Sequence, residues 1–156
     1  GAALIGFIPN ALFPIFSKLK GESLRKLFGK SLNITLLISI LVGVLTYFFA
    51  YYLIRLAYGA QYLTSVPLLK FFAILIIFLP FSAILETYLI SQRKTKPIAW
   101  LLVVSTVLNI ILNYLGITYG LRFSEYYAVL GACFATIISR AFYLIGLIFV
   151  KKNDYK

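Results

Sequence analysis

Apolar residues lie along the chain in long blocks, and the short breaks between them carry Lys, Arg, Gly, Pro and Gln. Each complete block has about the 20 residues that an α-helix needs to cross the hydrocarbon core of a bilayer. The blocks do not alternate apolar and polar residues, as the strands of a transmembrane barrel do. The pattern predicts an all-α polytopic transmembrane helical bundle with five spans, at about 1–17, 32–54, 66–90, 98–117 and 127–150.

The first block is apolar from Gly1 onward, and the sequence contains no Met. A processed signal peptide fits poorly, because neither a basic leader nor a small-residue cleavage site is present. We expect the chain to be a fragment that begins inside a span, so that the first of the five spans is truncated and the whole forms a single membrane domain.

The composition agrees with a membrane location, since 62% of the residues are hydrophobic and 12% are charged. Soluble domains are closer to half apolar and a quarter charged. The sequence has no His and one Cys, Cys133, in an apolar block where we expect it to pack. No Gly-rich phosphate loop, metal-ligand cluster or nucleophile–base pair is recognisable. We therefore expect no cofactor, no metal and no enzymatic reaction.

The basic residues are distributed unevenly among the breaks between spans. The first break holds five of the 15, and the third break and the C-terminal tail hold three each. Such an excess marks the cytoplasmic side. We predict a multi-pass protein of the cell membrane with its C-terminus in the cytoplasm, Trp100 near the inner end of the fourth span, and no nucleic-acid partner despite the net charge of +11.

The first break has an internal pattern. Leu24, Leu27, Phe28 and Leu32 recur at steps of three and four residues, with basic residues between them. The pattern predicts a short interfacial amphipathic helix over 22–31 that lies on the membrane surface. An ordinary basic connecting loop is the alternative.

Arg140 falls near the middle of the fifth span, where a charge costs about 2.5–3.5 kcal/mol on insertion scales. We predict that it lines a central cavity and pairs with an anionic head group, and the alternatives are a structural ion pair or snorkelling toward the nearer interface. Asn109 and Asn113 lie one turn apart on the fourth span, and Asn10 lies in the first. These asparagines are further cavity candidates, although hydrogen bonds between helices are the more common use of such residues.

Glu86 is the single carboxylate within the predicted spans and lies one turn from the inner end of the third. It is a candidate for gating or cation coupling, or else a partner of the basic third break. Pro9, Pro14 and Pro80 interrupt the first and third spans, and proline kinks a helix by removing a backbone hydrogen bond. Transporters use such breaks beside cavities or where a bundle bends, while a static kink is the alternative.

Small residues at Gly131 and Ala135 form a small-xxx-small face on the fifth span. This spacing lets two helix backbones approach closely in a membrane. We expect the face to serve helix packing.

Four short segments carry a family resemblance through their order along the chain. They are Ala11–Lys18 (ALFPIFSK), Leu56–Tyr62 (LAYGAQY), Val66–Lys70 (VPLLK), and Tyr119-Gly120 followed, after an insertion, by Gly131–Thr136 (GACFAT). In this order they resemble the polysaccharide (oligosaccharide) flippase family of the multidrug/oligosaccharidyl-lipid/polysaccharide exporter superfamily.

The resemblance implies that the chain corresponds to the C-terminal half-bundle, spans eight to twelve, of a twelve-span transporter with both ends cytoplasmic. It implies alternating access, in which this half and a missing N-terminal half-bundle rock about a central cavity and move a polyprenyl-diphosphate-linked glycan across the bilayer. An arginine in that cavity would suit a diphosphate, because its planar fork pairs with phosphate oxygens.

Two other classes stay open at this point. One is a cation-coupled multidrug exporter of the same superfamily, and the other is a polytopic membrane enzyme or accessory subunit of glycan assembly. An enzyme would need a sizeable outer loop for its catalytic residues, whereas the two predicted outer loops have about a dozen residues or fewer.

Overall fold

The computed structural model describes residues 11–152, which are almost entirely helical. Residues 11–18 form α1, and the longer helices are α2 (Gly21–Tyr58), α3 (Val66–Ser91), α4 (Thr95–Gly120) and α5 (Glu125–Lys152), with a 3-10 helix at Ala60–Ser65. Within the described part, the four helices α2 to α5 are long and apolar enough to cross a membrane. The all-α polytopic architecture is confirmed, and much of the predicted first span lies outside the described residues.

The helix ends follow the breaks in the sequence. α2 stops at Gly59, whose φ of 90° is reached without the steric cost that a side chain would bring. The Gly59 amide donates to the Arg55 carbonyl and closes the last turn. α3 then begins at Val66 with Pro67 in its first turn, where a missing N–H costs no hydrogen bond.

The structure differs from the prediction of a separate surface helix over 22–31. α2 runs without interruption for 38 residues, about 57 Å at the usual helix rise. No proline or positive-φ residue breaks it after its first residue, Gly21. The apolar stripe of this segment is real, but Leu24 and Phe28 are buried in the core of the bundle. The segment therefore extends a spanning helix and packs on its neighbours.

The helices pack as two pairs, α2 with α3 and α4 with α5, and contacts between α3 and α5 join the pairs. The buried core lies toward the end of the bundle where α2 starts and α5 ends. All five helices contribute to it, through Phe16, Leu24, Phe28, Ile84, Leu85, Leu89, Ile98, Tyr143, Leu144 and Leu147.

Away from this core, large apolar side chains point outward. Leu37 and Phe48 on α2 are 70% and 73% exposed, and only 11% of the most apolar stretch of α4 is buried. In water this much apolar surface would drive aggregation, whereas lipid tails solvate it at no cost. The bundle is thus built with a lipid-facing exterior.

Glycines bring the backbones of α4 and α5 into direct contact. A Cβ placed on Gly131 would lie 2.5 Å from the carbonyl oxygen of Gly116, and one placed on Gly120 would lie 2.5 Å from the Ala128 nitrogen. Both distances are shorter than any real contact, and the obstructing atoms are backbone. The close helix contact predicted at Gly131 is confirmed.

We expect Gly131→Ala to destabilise the bundle by about 1–3 kcal/mol, the usual cost of overpacking, because neither backbone can move aside easily. The matched control is Gly29→Ala on α2, where an added Cβ meets nothing within 4 Å. Because alanine has a higher helix propensity than glycine, Gly29→Ala should be neutral or slightly stabilising. Detergent unfolding followed by circular dichroism measures both, and equal stabilities for the two variants would contradict the close contact.

Candidate functional site

The polar residues singled out in the spans fall into two groups, one between α4 and α5 and one between α3 and α5. Asn10 and Pro9 lie outside the described residues. The remaining candidates are placed by α1, α3, α4 and α5.

Hydrogen bonds connect α4 to α5 near the middle of the two helices. Ser105 Oγ donates to the Ser139 carbonyl at 2.9 Å, and Asn109 Nδ2 donates to Ser139 Oγ at 2.9 Å. Asn113 Nδ2 donates to Asn109 Oδ1 at 3.0 Å. Asn109 therefore bridges two helices, as membrane asparagines commonly do, and Asn113 supports it from the next turn.

Ser139 is the centre of this polar ladder and is only 2% exposed. Its hydroxyl also donates to the Thr136 carbonyl at 3.0 Å, so its hydrogen-bonding capacity is used within the protein. The sequence prediction missed both Ser139 and Ser105. The spacing of Ser105, Asn109 and Asn113 at steps of four residues was the available signal, since it places all three on one face.

Arg140 follows Ser139 directly, about 100° further around α5, and is exposed. The 12 residues from Arg140 to Lys152 cover about 18 Å of helix axis. With the terminal lysines at the membrane surface, Arg140 would lie deep in a hydrocarbon core about 30 Å thick. It has no carboxylate partner within 4.0 Å among residues 11–152. A structural ion pair within this part of the chain therefore does not account for the charge.

The second group joins α3 to α5 around Tyr143, which is 2% exposed. Its hydroxyl lies near the Glu86 carboxylate and within electrostatic influence of Arg140, yet forms no hydrogen bond of ordinary distance and angle with the described residues. Sequence patterns missed Tyr143, because an aromatic residue in an apolar block is ordinarily a packing residue. We call Glu86, Tyr143 and Arg140 the charged cluster.

Glu86 itself is half-buried. Within the described part of the chain it has no ion pair with the basic residues that follow α3, so the structure does not support the alternative of a partner for the third break. Its surroundings are instead the buried face of α5.

The prolines do not end their helices. α3 continues through Pro80, and Ser82 Oγ donates to the Phe78 carbonyl at 2.9 Å in the next turn. Pro14 lies within α1, where Ser17 Oγ donates to the Pro14 carbonyl at 3.1 Å. Each bond satisfies a serine hydroxyl on its own helix, and neither reaches the i−4 carbonyl that the proline leaves without a donor. A gating role for either proline stays a prediction.

The basic breaks converge at one end of the bundle, which we call the basic end. Lys151 Nζ, at the end of α5, lies 4.2 Å from the ring centre of Phe28 on α2 and 5.8 Å from that of Tyr88 on α3. Arg25 and Lys94 line a common cleft beside Tyr88. The structure thus places the first break, the third break and the end of α5 together, as the charge pattern requires. That this end faces the cytoplasm stays a prediction.

No group of three or more His, Cys, Asp or Glu within residues 11–152 is arranged to hold a metal ion. Cys133 is buried and packs between helices. The charged side chains that the structure describes within the predicted spans are Lys70, Glu86 and Arg140.

Four membrane-length helices, packed in two pairs around a few polar groups, define the class as a polytopic α-helical membrane protein. The MatE family model matches residues 16–115, well over half of the chain. The chain belongs to the MatE family, whose members are transporters of the multidrug/oligosaccharidyl-lipid/polysaccharide exporter superfamily. The match ends within α4, so Arg140 and Tyr143 lie beyond it. No curated protein and no solved structure matches the chain significantly.

A double-mutant cycle with Asn109→Ala and Ser139→Ala should measure how much the hydrogen bond between these two side chains contributes to the stability of the bundle. We expect a coupling free energy of about 0.6–1.7 kcal/mol, the range found for hydrogen bonds between membrane helices. Detergent unfolding of the four proteins gives this value.

Thr106→Val is the matched control for this cycle, because Thr106 is exposed and its hydroxyl bonds only within α4, to Leu102 at 2.8 Å. Its coupling to Ser139→Ala should be near zero. Coupling that is no larger for Asn109 than for Thr106 would show that the bridge contributes nothing.

Proposed function

We propose that the chain forms one half of an alternating-access transporter that moves polyprenyl-diphosphate-linked glycans across the cell membrane. Membership of the MatE family supports transport, and the order of the four resembling segments favours the flippase branch. The observation that carries the substrate class is an exposed arginine, Arg140, within the long apolar helix α5.

An exposed arginine at this depth is costly against lipid tails, by about 2.5–3.5 kcal/mol on insertion scales. The ladder on the neighbouring face of α5 uses Ser139 and leaves Arg140 free of it. The simplest way to lower the cost is a water-filled cavity beside this face of α5. In the proposal, the second wall of that cavity is an N-terminal half-bundle.

A diphosphate is the ligand that such a cavity suits. The guanidinium presents a planar fork of donors that matches phosphate oxygens, and charge-assisted bonds of this kind are about twice as strong as neutral ones. The polyprenyl tail would remain in the bilayer, in contact with the apolar exterior of the bundle. The glycan would cross through the cavity with the head group.

We expect Arg140→Ala in the full-length transporter to reduce translocation of a lipid-linked oligosaccharide at least tenfold, since a hydrogen bond to a charged group contributes about 1.5–3 kcal/mol. Arg140→Lys should restore part of the activity, because it keeps the charge without the fork. Arg55→Ala is the matched control, an exposed arginine in the last turn of α2. Full activity of Arg140→Ala at equal expression would refute the role.

A cation-coupled multidrug exporter is the second candidate, and the environment of Glu86 favours it. The carboxylate is half-buried, lies beside Tyr143 and lacks a basic partner among the described residues. In this case transport would depend on a proton or sodium gradient acting at Glu86.

Under the second candidate, Glu86→Gln should abolish gradient-driven drug efflux, because the amide cannot bind and release a cation. Glu125→Gln, in the first turn of α5, is the matched control. Efflux assays in vesicles with an imposed gradient make the measurement. Drug efflux without any translocation of lipid-linked sugar would favour this candidate over the flippase.

A further inference from the structure

We propose that the basic end carries a binding site for an anionic phospholipid of the adjacent leaflet, in a groove along the start of α4. The proposal is independent of the transported substrate. The groove is formed by two adjoining clefts. One is lined by Arg93, Lys94, Thr95, Lys96, Pro97 and Val150, and the other by Lys96, Ala99, Trp100 and Val103.

The two clefts differ in chemistry and share a wall. The first, of about 470 Å³, contains three cationic side chains, and the second, of about 320 Å³, is apolar apart from Lys96. Lys96 lines both, so the two clefts adjoin along the start of α4. The groove is cationic at the membrane surface and apolar along α4, as a phospholipid is charged at its head and apolar along its chains.

The cationic cleft is held by an ordered turn between α3 and α4. The amide of Arg93 donates to the Ile90 carbonyl at 2.9 Å, and that of Lys94 donates to the Leu89 carbonyl at 3.1 Å. Arg93 adopts a φ of 62°, which a non-glycine residue reaches only when its surroundings hold it there. Ile98 is buried in the core and fixes the first turns of α4. The cations are therefore presented from a defined backbone.

Two of the three cations in this cleft, Arg93 and Lys96, have no opposing carboxylate within residues 11–152. The first turn of α4 contains no acidic residue. Cations at a helix N-terminus also oppose the helix dipole, whose positive end lies there. A phosphate in the cleft would relieve both repulsions at once.

The apolar cleft selects a lipid over a free phosphate. Trp100 is 71% exposed, and Ala99 and Val103 are exposed beside it on α4. Tryptophan favours the boundary between head groups and acyl chains, and these three side chains offer a surface for the upper part of a chain. Basic pockets beside membrane helices bind anionic head groups in this way.

Trp100 is the single tryptophan of the chain and serves as an internal reporter of the groove. The protein is reconstituted in phosphatidylcholine vesicles that contain a small fraction of brominated lipid, whose bromine quenches tryptophan fluorescence on contact. Brominated phosphatidylglycerol and brominated phosphatidylcholine are compared at equal fractions. A Trp100→Phe variant removes the signal and gives the background.

We expect brominated phosphatidylglycerol to be enriched at Trp100 at least about fivefold over brominated phosphatidylcholine, the factor that corresponds to about 1 kcal/mol for one basic residue. Lys96→Gln should lower the enrichment about fivefold or abolish it. Arg122→Gln, in the turn between α4 and α5 at the opposite end of the bundle, should leave it unchanged.

Three results would overturn the proposal. The first is equal quenching by the two lipids, and the second is an enrichment that survives Lys96→Gln together with Arg93→Gln at unchanged helical content. The third is complete loss of the enrichment in millimolar inorganic phosphate, which would assign the cleft to a soluble anion.

Discussion

The hydrocarbon interior of a bilayer offers no hydrogen-bond partners, so every polar group that enters it must be satisfied by the protein itself. The backbone meets this requirement by forming helices through almost all of residues 11–152. The polar side chains meet it within and between helices, as Ser105 and Asn109 do by bonding to Ser139. Since lipid tails are as apolar as leucine, these bonds and close packing hold α4 and α5 together where a hydrophobic core would do so in water. Glycine at Gly116 and Gly131 allows the close packing.

The same constraint explains why the core lies at the basic end. Near the head groups, water and phosphate solvate charged residues, so aromatic and cationic groups can be combined there without a large penalty. Phe16, Phe28 and Tyr88 form a cluster that Lys151 covers from the end of α5. This cluster ties α1, α2, α3 and α5 at one end, while much of the middle of the bundle presents apolar side chains to lipid.

Against this background the charged cluster stands out, because Arg140 and Glu86 are not neutralised by each other or by neighbouring ion pairs among the described residues. In the functions proposed above, these two groups would contact a charged substrate or a coupling cation. The two candidate functions depend on different members of the charged cluster, the flippase on Arg140 and the cation-coupled exporter on Glu86. The lipid groove is separate from this cluster and uses charges at the surface of the membrane.

The sequence alone determined the helical class, the presence of four long apolar helices, the grouping of basic residues and the close contact at Gly131. Each of these follows from local quantities: the length of an apolar block, the residue types in a break, or the size of one side chain. The tertiary structure decided that residues 22–31 continue α2 and turn their apolar stripe toward the core, since a stripe is equally suited to lipid and to another helix. It also decided that Ser139 bonds to α4, that Tyr143 is buried and that Arg140 is exposed. These outcomes depend on how α3, α4 and α5 are rotated against one another, which no local pattern specifies.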